Sequence, residues 1–425
     1  MGPIHRTNQP IPPKPVPNRY IVVFKPGTVH TRRREHCDTI RMKHREFIAR
    51  CSTKEAVKYG GIHHEFCISD RFAGYTCTVS KEVIEHAKAS EHVHYIELAY
   101  TIHIGPIIPG TPVPSTQFVA KDDTRSWGLA RISQKERIDP NKPTSYKYHP
   151  SAGQGITAYI IDSGCYCEHE DFEGRAVFGF NAVEGSTTTM DEMGHGTHVA
   201  AIICGKNFGV AKKANVIAVK VFGPHGTGDT SDILKGIDWA VADAKQKNII
   251  GRSVMNMSLG GYAPALNAAA AAAVEEGMVV VCAAGNDGSD VNTRSPASAP
   301  GVVTVGNIDV YDTMAQTSNY GTCVDIFAPG TKITSAFPGS PTAIKEMSGT
   351  SMSTPHVAGV AAYLMALEKI STPQQVLKRL KELAVEGAVS GLRVDPKDLG
   401  GSQNLLLQNG ADAPPQPSGI QCTCT

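Results

Sequence analysis

Residues 156–164 read Ile156-Thr157-Ala158-Tyr159-Ile160-Ile161-Asp162-Ser163-Gly164. The run is almost continuously apolar and stops on a carboxylate followed by small turn residues. A segment of this kind suits a strand buried on both faces of a parallel sheet. Similar short runs occupy 216–221, 254–259, 278–282 and 302–305. Helical stretches separate them, such as 231–245 and the six alanines at 268–273, a strong helix-forming run. This alternation predicts an α/β domain with a mostly parallel, doubly wound sheet, whose sites lie at the carboxyl ends of its strands. Asp162 falls at such an end.

Two further segments supply matching chemistry: Gly194-His195-Gly196-Thr197-His198-Val199-Ala200, and Ser348-Gly349-Thr350-Ser351-Met352-Ser353-Thr354-Pro355-His356. A serine hydroxyl is a poor nucleophile until a base takes its proton. His195 is the candidate base, and Asp162 the group that fixes its tautomer and stabilises its charged form. Ser351 opens a helix predicted to reach about residue 368, with Pro355 in its first turns where a missing N–H matters least. Its own N–H, near the positive end of that helix, can face an oxyanion. Asn286, in Ala283-Ala284-Gly285-Asn286, follows an apolar run and is the candidate second donor. Taken singly, Asp-Ser-Gly reads as a turn, a helical histidine as structural and Asn-Asp-Gly as a loop. It is the set of four that points to acyl transfer. His198 and His356 are read as structural. Asn256-Met257-Ser258 is a formal glycosylation sequon, but its place in a buried strand predicts that it is unused.

Upstream, residues 19–104 read as a small domain in β-α-β-β-α-β order, the split βαβ pattern. Strands are predicted at 20–24, 61–68, 72–79 and 93–97, with helices at about 30–51 and 81–89. The triplet Arg32-Arg33-Arg34 reads as a solvated helix face. Residues 1–18 carry six prolines and read as a disordered arm with no apolar core of a secretory signal. Residues 105–125, broken by Pro106, Pro109, Pro112 and Pro114, read as a linker, 126–410 as the large domain and 411–425 as a disordered tail. Lys+Arg and Asp+Glu number 41 and 40, giving a formal net charge of +1. That balance points away from nucleic acid and acidic membranes as partners. Eleven cysteines make an odd count. Cys282 reads as a buried thiol, and the Cys165-x-Cys167 and Cys422-x-Cys424 pairs are too closely spaced for the usual zinc sites.

With these residues in hand, the chain resembles the subtilisin-like serine peptidases, in the proteinase-K-like branch and most closely its fungal members. The order Asp, His, Ser is that of subtilisin. Trp127-Gly128-Leu129-Ala130-Arg131-Ile132-Ser133, Phe172-Glu173-Gly174-Arg175, Ser258-Leu259-Gly260-Gly261, Ser295-Pro296-Ala297-Ser298 and Ser318-Asn319-Tyr320-Gly321 carry the resemblance. So does residues 19–104, similar to the family's inhibitor-type propeptide, with Tyr95-Ile96-Glu97 near its end. The resemblance implies a subtilisin-like three-layer domain preceded by a ferredoxin-like propeptide, and a monomeric endopeptidase made as a zymogen. Its partners would be polypeptide substrates and its own propeptide. It implies that Gly226, Thr227 and Gly228 pair with substrate backbone, and that Ser258, Leu259, Gly260, Ala283, Ala284 and Gly285 line an uncharged pocket for apolar side chains. It implies no catalytic cofactor, and a structural calcium ion on the carbonyls of Pro300 and Val302 and the carboxylate of Asp325. Family members are secreted by default. Departures are Ala201 for a usual glycine, Ser353 for a usual alanine, and Thr157 and Val303 where cysteines of a disulfide are expected. Two other readings stay open at this level: a non-proteolytic scaffold with a retained propeptide, and an intracellular maturase dedicated to one peptide.

Overall fold

The computed structural model describes residues 14–104, 108–109, 126–142, 144–393 and 401–411. The N-terminal unit runs β1 (Pro15–Phe24), α1 (His30–Ile48), α2 (Thr53–Ala56), β2 (Gly61–Ser69), β3 (Phe72–Thr78), α3 (Lys81–Lys88) and β4 (Val93–His103). Its sheet is antiparallel in the order β2-β3-β1-β4, as the split βαβ pattern requires. One face of the sheet packs on α1 and α3 through Val22, Phe24, Ile40, Tyr75, Val83 and Ile84. Two expectations change here. β1 begins at Pro15, inside the stretch read as a disordered arm, because Pro15 pairs with Tyr100 beyond an irregularity in the ladder. β4 continues six residues past its predicted end at Glu97 because a strand of the large domain supports its outer half.

In the segment read as a linker, β5 (Ile108–Pro109) lies antiparallel to a strand near Ser348, and 110–125 lie outside the described residues. The large domain follows with α4 (Trp127–Arg131), β6 (Thr157–Asp162), β7 (Ala176–Asn181), α5 (His195–Cys204), β8 (Asn215–Lys220), β9 (Thr227–Asp229), α6 (Thr230–Gln246), β10 (Ser253–Met257), α7 (Pro264–Glu275), β11 (Val279–Ala283) and β12 (Val303–Ile308). It ends with β13 (Ile326–Pro329), β14 (Ile333–Ala336), β15 (Ile344–Ser348), α8 (Thr350–Glu368), α9 (Pro373–Leu383), β16 (Val385–Glu386) and β17 (Leu405–Leu406). The central sheet has the order β16-β17-β13-β12-β11-β10-β6-β8-β7 and is parallel except at β16. The predicted apolar runs are its inner strands, shifted by a residue or two. One apolar core packs the sheet on α5 and α8, and a second packs it on α6 and α7. The outer face of β2 and β3 extends the second core through Phe66, Ile68 and Phe72. Asp238 fixes that contact, accepting from the Cys67 N–H at 3.1 Å with His64 Nε2 at 2.9 Å. No helix among the described residues is long and apolar enough to cross a membrane.

Inside the small domain, His36 is buried against Phe24, between Ser90 Oγ at 3.1 Å and Tyr75 OH at 3.0 Å. Burial, aided by His92, lowers its pKa to about 4. The unfolded chain, titrating near 6.5, therefore takes up a proton that the folded domain refuses. Stability of this domain is expected to fall as pH drops from about 6.5 towards 4. Urea unfolding of the full chain followed across that range checks it, and His36→Gln should flatten the dependence.

Candidate active site

Asp162 is the last residue of β6 and is fully buried. Its Oδ1 accepts from the Ser163 N–H at 2.7 Å, with His195 Nδ1 at 2.7 Å from the same oxygen. A carboxylate only accepts, so Nδ1 carries the proton and Nε2 keeps the free lone pair of a base. His195 is the first residue of α5 and is set there by contacts that the sequence reading missed. Asp191 accepts from the Gly194 N–H and the Thr197 N–H, each at 2.8 Å, and from Ser163 Oγ at 2.8 Å. Ser163 Oγ in turn accepts from the Gly196 N–H at 2.9 Å. The turn after β6 and the start of α5 are thus tied to one carboxylate. The available signal was an acidic residue three positions before the Gly194 N-cap, outside the usual cap position.

Gly196 has a steric reason. A Cβ there would lie 2.0 Å from the Gly164 carbonyl oxygen, so α5 meets the β6 turn backbone to backbone. Ala201, the departure on this helix, is accommodated in its buried face. His198 reaches the Ile333 and Lys345 carbonyls through Nε2 at 3.1 and 3.0 Å, and burial lowers its pKa to about 3. His356 bonds the Met352 carbonyl at 2.8 Å, and burial lowers its pKa to about 4. Both histidines do structural duty.

Ser351 is the second residue of α8. Its hydroxyl donates to the Ser258 carbonyl at 3.2 Å, and Ser258 Oγ returns a bond to the Ser351 carbonyl at 2.9 Å. Among the described residues no hydrogen bond joins Ser351 Oγ to His195, although α5 and α8 pack together. Catalytic hydrogen bonds of this type often close only around substrate. Asn286 Oδ1 accepts from the Thr350 N–H at 2.8 Å and the Thr350 hydroxyl at 3.0 Å. This fixes the amide so that Nδ2 is the outward donor. Gly349, at φ 152°, would place a Cβ 3.2 Å from that nitrogen. Asn319 steadies the Asn286 loop, donating to the Ala284 carbonyl at 2.8 Å and accepting from the Asp287 N–H at 3.1 Å. Ser353, the other departure, donates to the Ala328 carbonyl at 2.9 Å and so leaves no buried hydroxyl unpaired.

Two of the three expected cleft segments meet at the start of α8. Ser258, Leu259 and Gly260 leave the end of β10, while Ala283, Ala284 and Gly285 leave the end of neighbouring β11. The Gly285 N–H donates to Thr350 Oγ1 at 3.2 Å. Gly226, Thr227 and Gly228 lie on or beside β9, which β4 already occupies: Thr101 faces Asp229, Ile102 faces Gly228 and His103 faces Thr227. The Ile104 N–H donates to the Gly226 carbonyl at 3.0 Å.

The expected calcium ligands do not fit a cation. Asp325 Oδ1 takes the Lys381 ammonium at 2.8 Å, and Oδ2 accepts from the Thr304 N–H at 3.0 Å. Lys381 supplies at the carboxylate the charge that an ion beside Pro300 and Val302 would bring. Among the described residues no group of three His, Cys, Asp or Glu side chains could hold a metal.

Comparison with known proteins gives the family. Residues 153–411 match the subtilase family of peptidases, and residues 19–104 match the peptidase inhibitor I9 family. The chain belongs to the subtilase family. It is a subtilisin-like serine endopeptidase carrying an inhibitor-type propeptide. Alkaline protease 1 of Emericella nidulans is 42% identical over 398 residues, covering 93% of this chain and 92% of that protein. Subtilisin-like protease 1 of Trichophyton rubrum is 43% identical over 404 residues, covering 95% and 74%. A solved cold-adapted subtilisin-like serine proteinase is 40% identical with a TM-score of 0.58, covering 68% of this chain and 99% of that one. The subtilase chemistry uses side chains and backbone N–H groups, without a catalytic cofactor.

The contact at Gly196 gives a direct test. Gly196→Ala should push α5 off the β6 turn and misplace His195. Activity should fall at least about 100-fold, as expected for a displacement of about 1 Å, and far-UV circular dichroism would show whether the fold survives.

Proposed function

We propose that Asp162, His195 and Ser351 hydrolyse peptide bonds through an acyl-enzyme, in a zymogen held inactive by its own N-terminal domain. The single observation that carries this reading is the seating of β4. Its end lies as an added strand on β9, the backbone mode by which extended peptides are recognised. The inhibitor therefore fills the groove that a substrate would use.

In this reading His195 Nε2 takes the Ser351 proton as Oγ attacks the carbonyl carbon. Asp162 holds Nδ1–H and stabilises the imidazolium. The Ser351 N–H and Asn286 Nδ2 receive the oxyanion. His195 then returns the proton to the leaving amine, and water enters by the same route to release the acid. The 258–260 and 283–285 segments contain no charged side chain, which supports a preference for apolar side chains at the cleavage site. Calcium has no part in this reading, since Lys381 answers the charge of Asp325. Removal of the inhibitor requires a cut after Ile104 and before Ser126.

Intact mass of the expressed chain tests the whole reading. The wild type should lose its N-terminal domain, and Ser351→Ala should stay at full length. Identical uncleaved masses for both, with no hydrolysis of apolar peptides, would sink it. Asn286→Ala should process slowly, because one oxyanion donor is worth about 100- to 1,000-fold in kcat. Steady-state kinetics should place that loss in kcat, with KM little changed.

A further inference from the structure

The interface between the two domains carries one concentrated charge contact. Arg19, on β1, sets its guanidinium between Asp229 and Glu184 of the large domain. Its Nε donates to Thr78 Oγ1 at 3.3 Å within its own domain. His63 Nδ1 stands 3.5 Å from the second oxygen of Glu184. Asp232 lies behind them in the first turn of α6, with only 9% of its surface exposed. Burial and the neighbouring Asp229 charge push its carboxyl up to about 8. The large domain's own Lys235 is turned onto the ring of Phe180, 5.4 Å away. The cation paired with these carboxylates is therefore the propeptide's, and it departs when the propeptide does.

The strand register places this cluster on the path of a substrate. Thr101 faces Asp229, and the Tyr100 N–H donates to Thr230 Oγ1 at 3.1 Å. A polypeptide lying where β4 now lies would carry its residues in the same register. Its residue opposite Asp229, or the one before it, would sit at the outer end of the cleft beside Glu184, Asp229 and Asp232. Those positions are three and four residues N-terminal to the one whose N–H donates to Gly226.

We propose that Glu184 and Asp229 form an outer subsite that selects an arginine or lysine side chain at one of these two substrate positions, with Arg19 as its occupant in the zymogen. The proposal rests on the peptidase reading above and adds a substrate preference to it. The seated guanidinium shows the ligand chemistry in place, reaching two carboxylates at once. A forked, planar cation does this better than an ammonium, so arginine should exceed lysine. The subsite is partly open to solvent, so its effect should be modest and weakened by salt.

The test uses mature enzyme obtained by processing of the full chain. Peptides identical except for Arg, Gln or Glu at the two positions are compared by kcat/KM. The expected order is Arg above Gln above Glu, with about a tenfold span at low salt that shrinks in 1 M NaCl. Glu184→Gln should narrow the span, and Glu184→Lys should favour Glu over Arg. A reversal cannot arise from a variant that merely folds poorly. Equal rates for the three peptides with wild-type enzyme, or a span unmoved by both variants, would overturn the proposal while leaving the peptidase reading intact. No cleavage of any peptide, together with no fluorophosphonate labelling of Ser351, would instead sink both.

Discussion

The architecture depends on a helix that has solvent on almost no side. α8 is buried continuously from Thr350 to Ala366 and packs against α5, α9 and the inner strands of the central sheet. A helix surrounded in this way must be apolar all round, and its neighbours can come close only where side chains are small. Ala358, Gly359, Ala361 and Ala362 meet that condition. Its N-terminus is then fixed relative to β10, β11 and α5 at once. Ser351, Asn286 and His195 inherit their positions from that packing. The nucleophile is precise because it sits at the end of the most constrained element in the protein.

Inhibition is built from a different interaction. β4 lends its backbone to β9, and backbone pairing is indifferent to side chains. Such an arrangement lets the N-terminal domain lie on β9 without depending on particular side chains. The side-chain contacts around it, at His64–Asp238 and Arg19–Asp229, supply the register and selectivity that the backbone lacks. Glu97 adds another, accepting from the Ala265 N–H at 3.0 Å at the start of α7. Burial pushes its carboxyl up to about 7, so this contact is held at some cost.

Much of the candidate site was legible because its residues lie in short local motifs. Asp162 ends an apolar run, His195 sits between glycines, and Ser351 opens a helix. Each can be recognised from its immediate neighbours. Asp191 and the side-chain role of Asn319 were not legible, since their partners come from distant segments or are backbone groups. The pairing of Asp325, the expected calcium carboxylate, was hidden for the same reason. Its partner Lys381 is 56 residues away on α9, and nothing local marks the pair. The boundary near Pro15 and the length of β4 were misread because both depend on a pairing strand elsewhere.

The sequence by itself determined the order of strands and helices, the three motifs from which the proposed nucleophile, base and carboxylate are read, and the presence of a separate domain ahead of them. Periodicity and motif spacing are local properties, and those conclusions need nothing more. Only the tertiary structure decided which carboxylate orders the His195 turn, which donor group Asn286 turns outward, and which cation neutralises Asp325. It alone placed β4 on β9 and Arg19 between Glu184 and Asp229. Apart from the short-range bonds of Asp191, these are contacts between residues far apart in the chain, fixed by packing and long-range hydrogen bonds that no local pattern encodes.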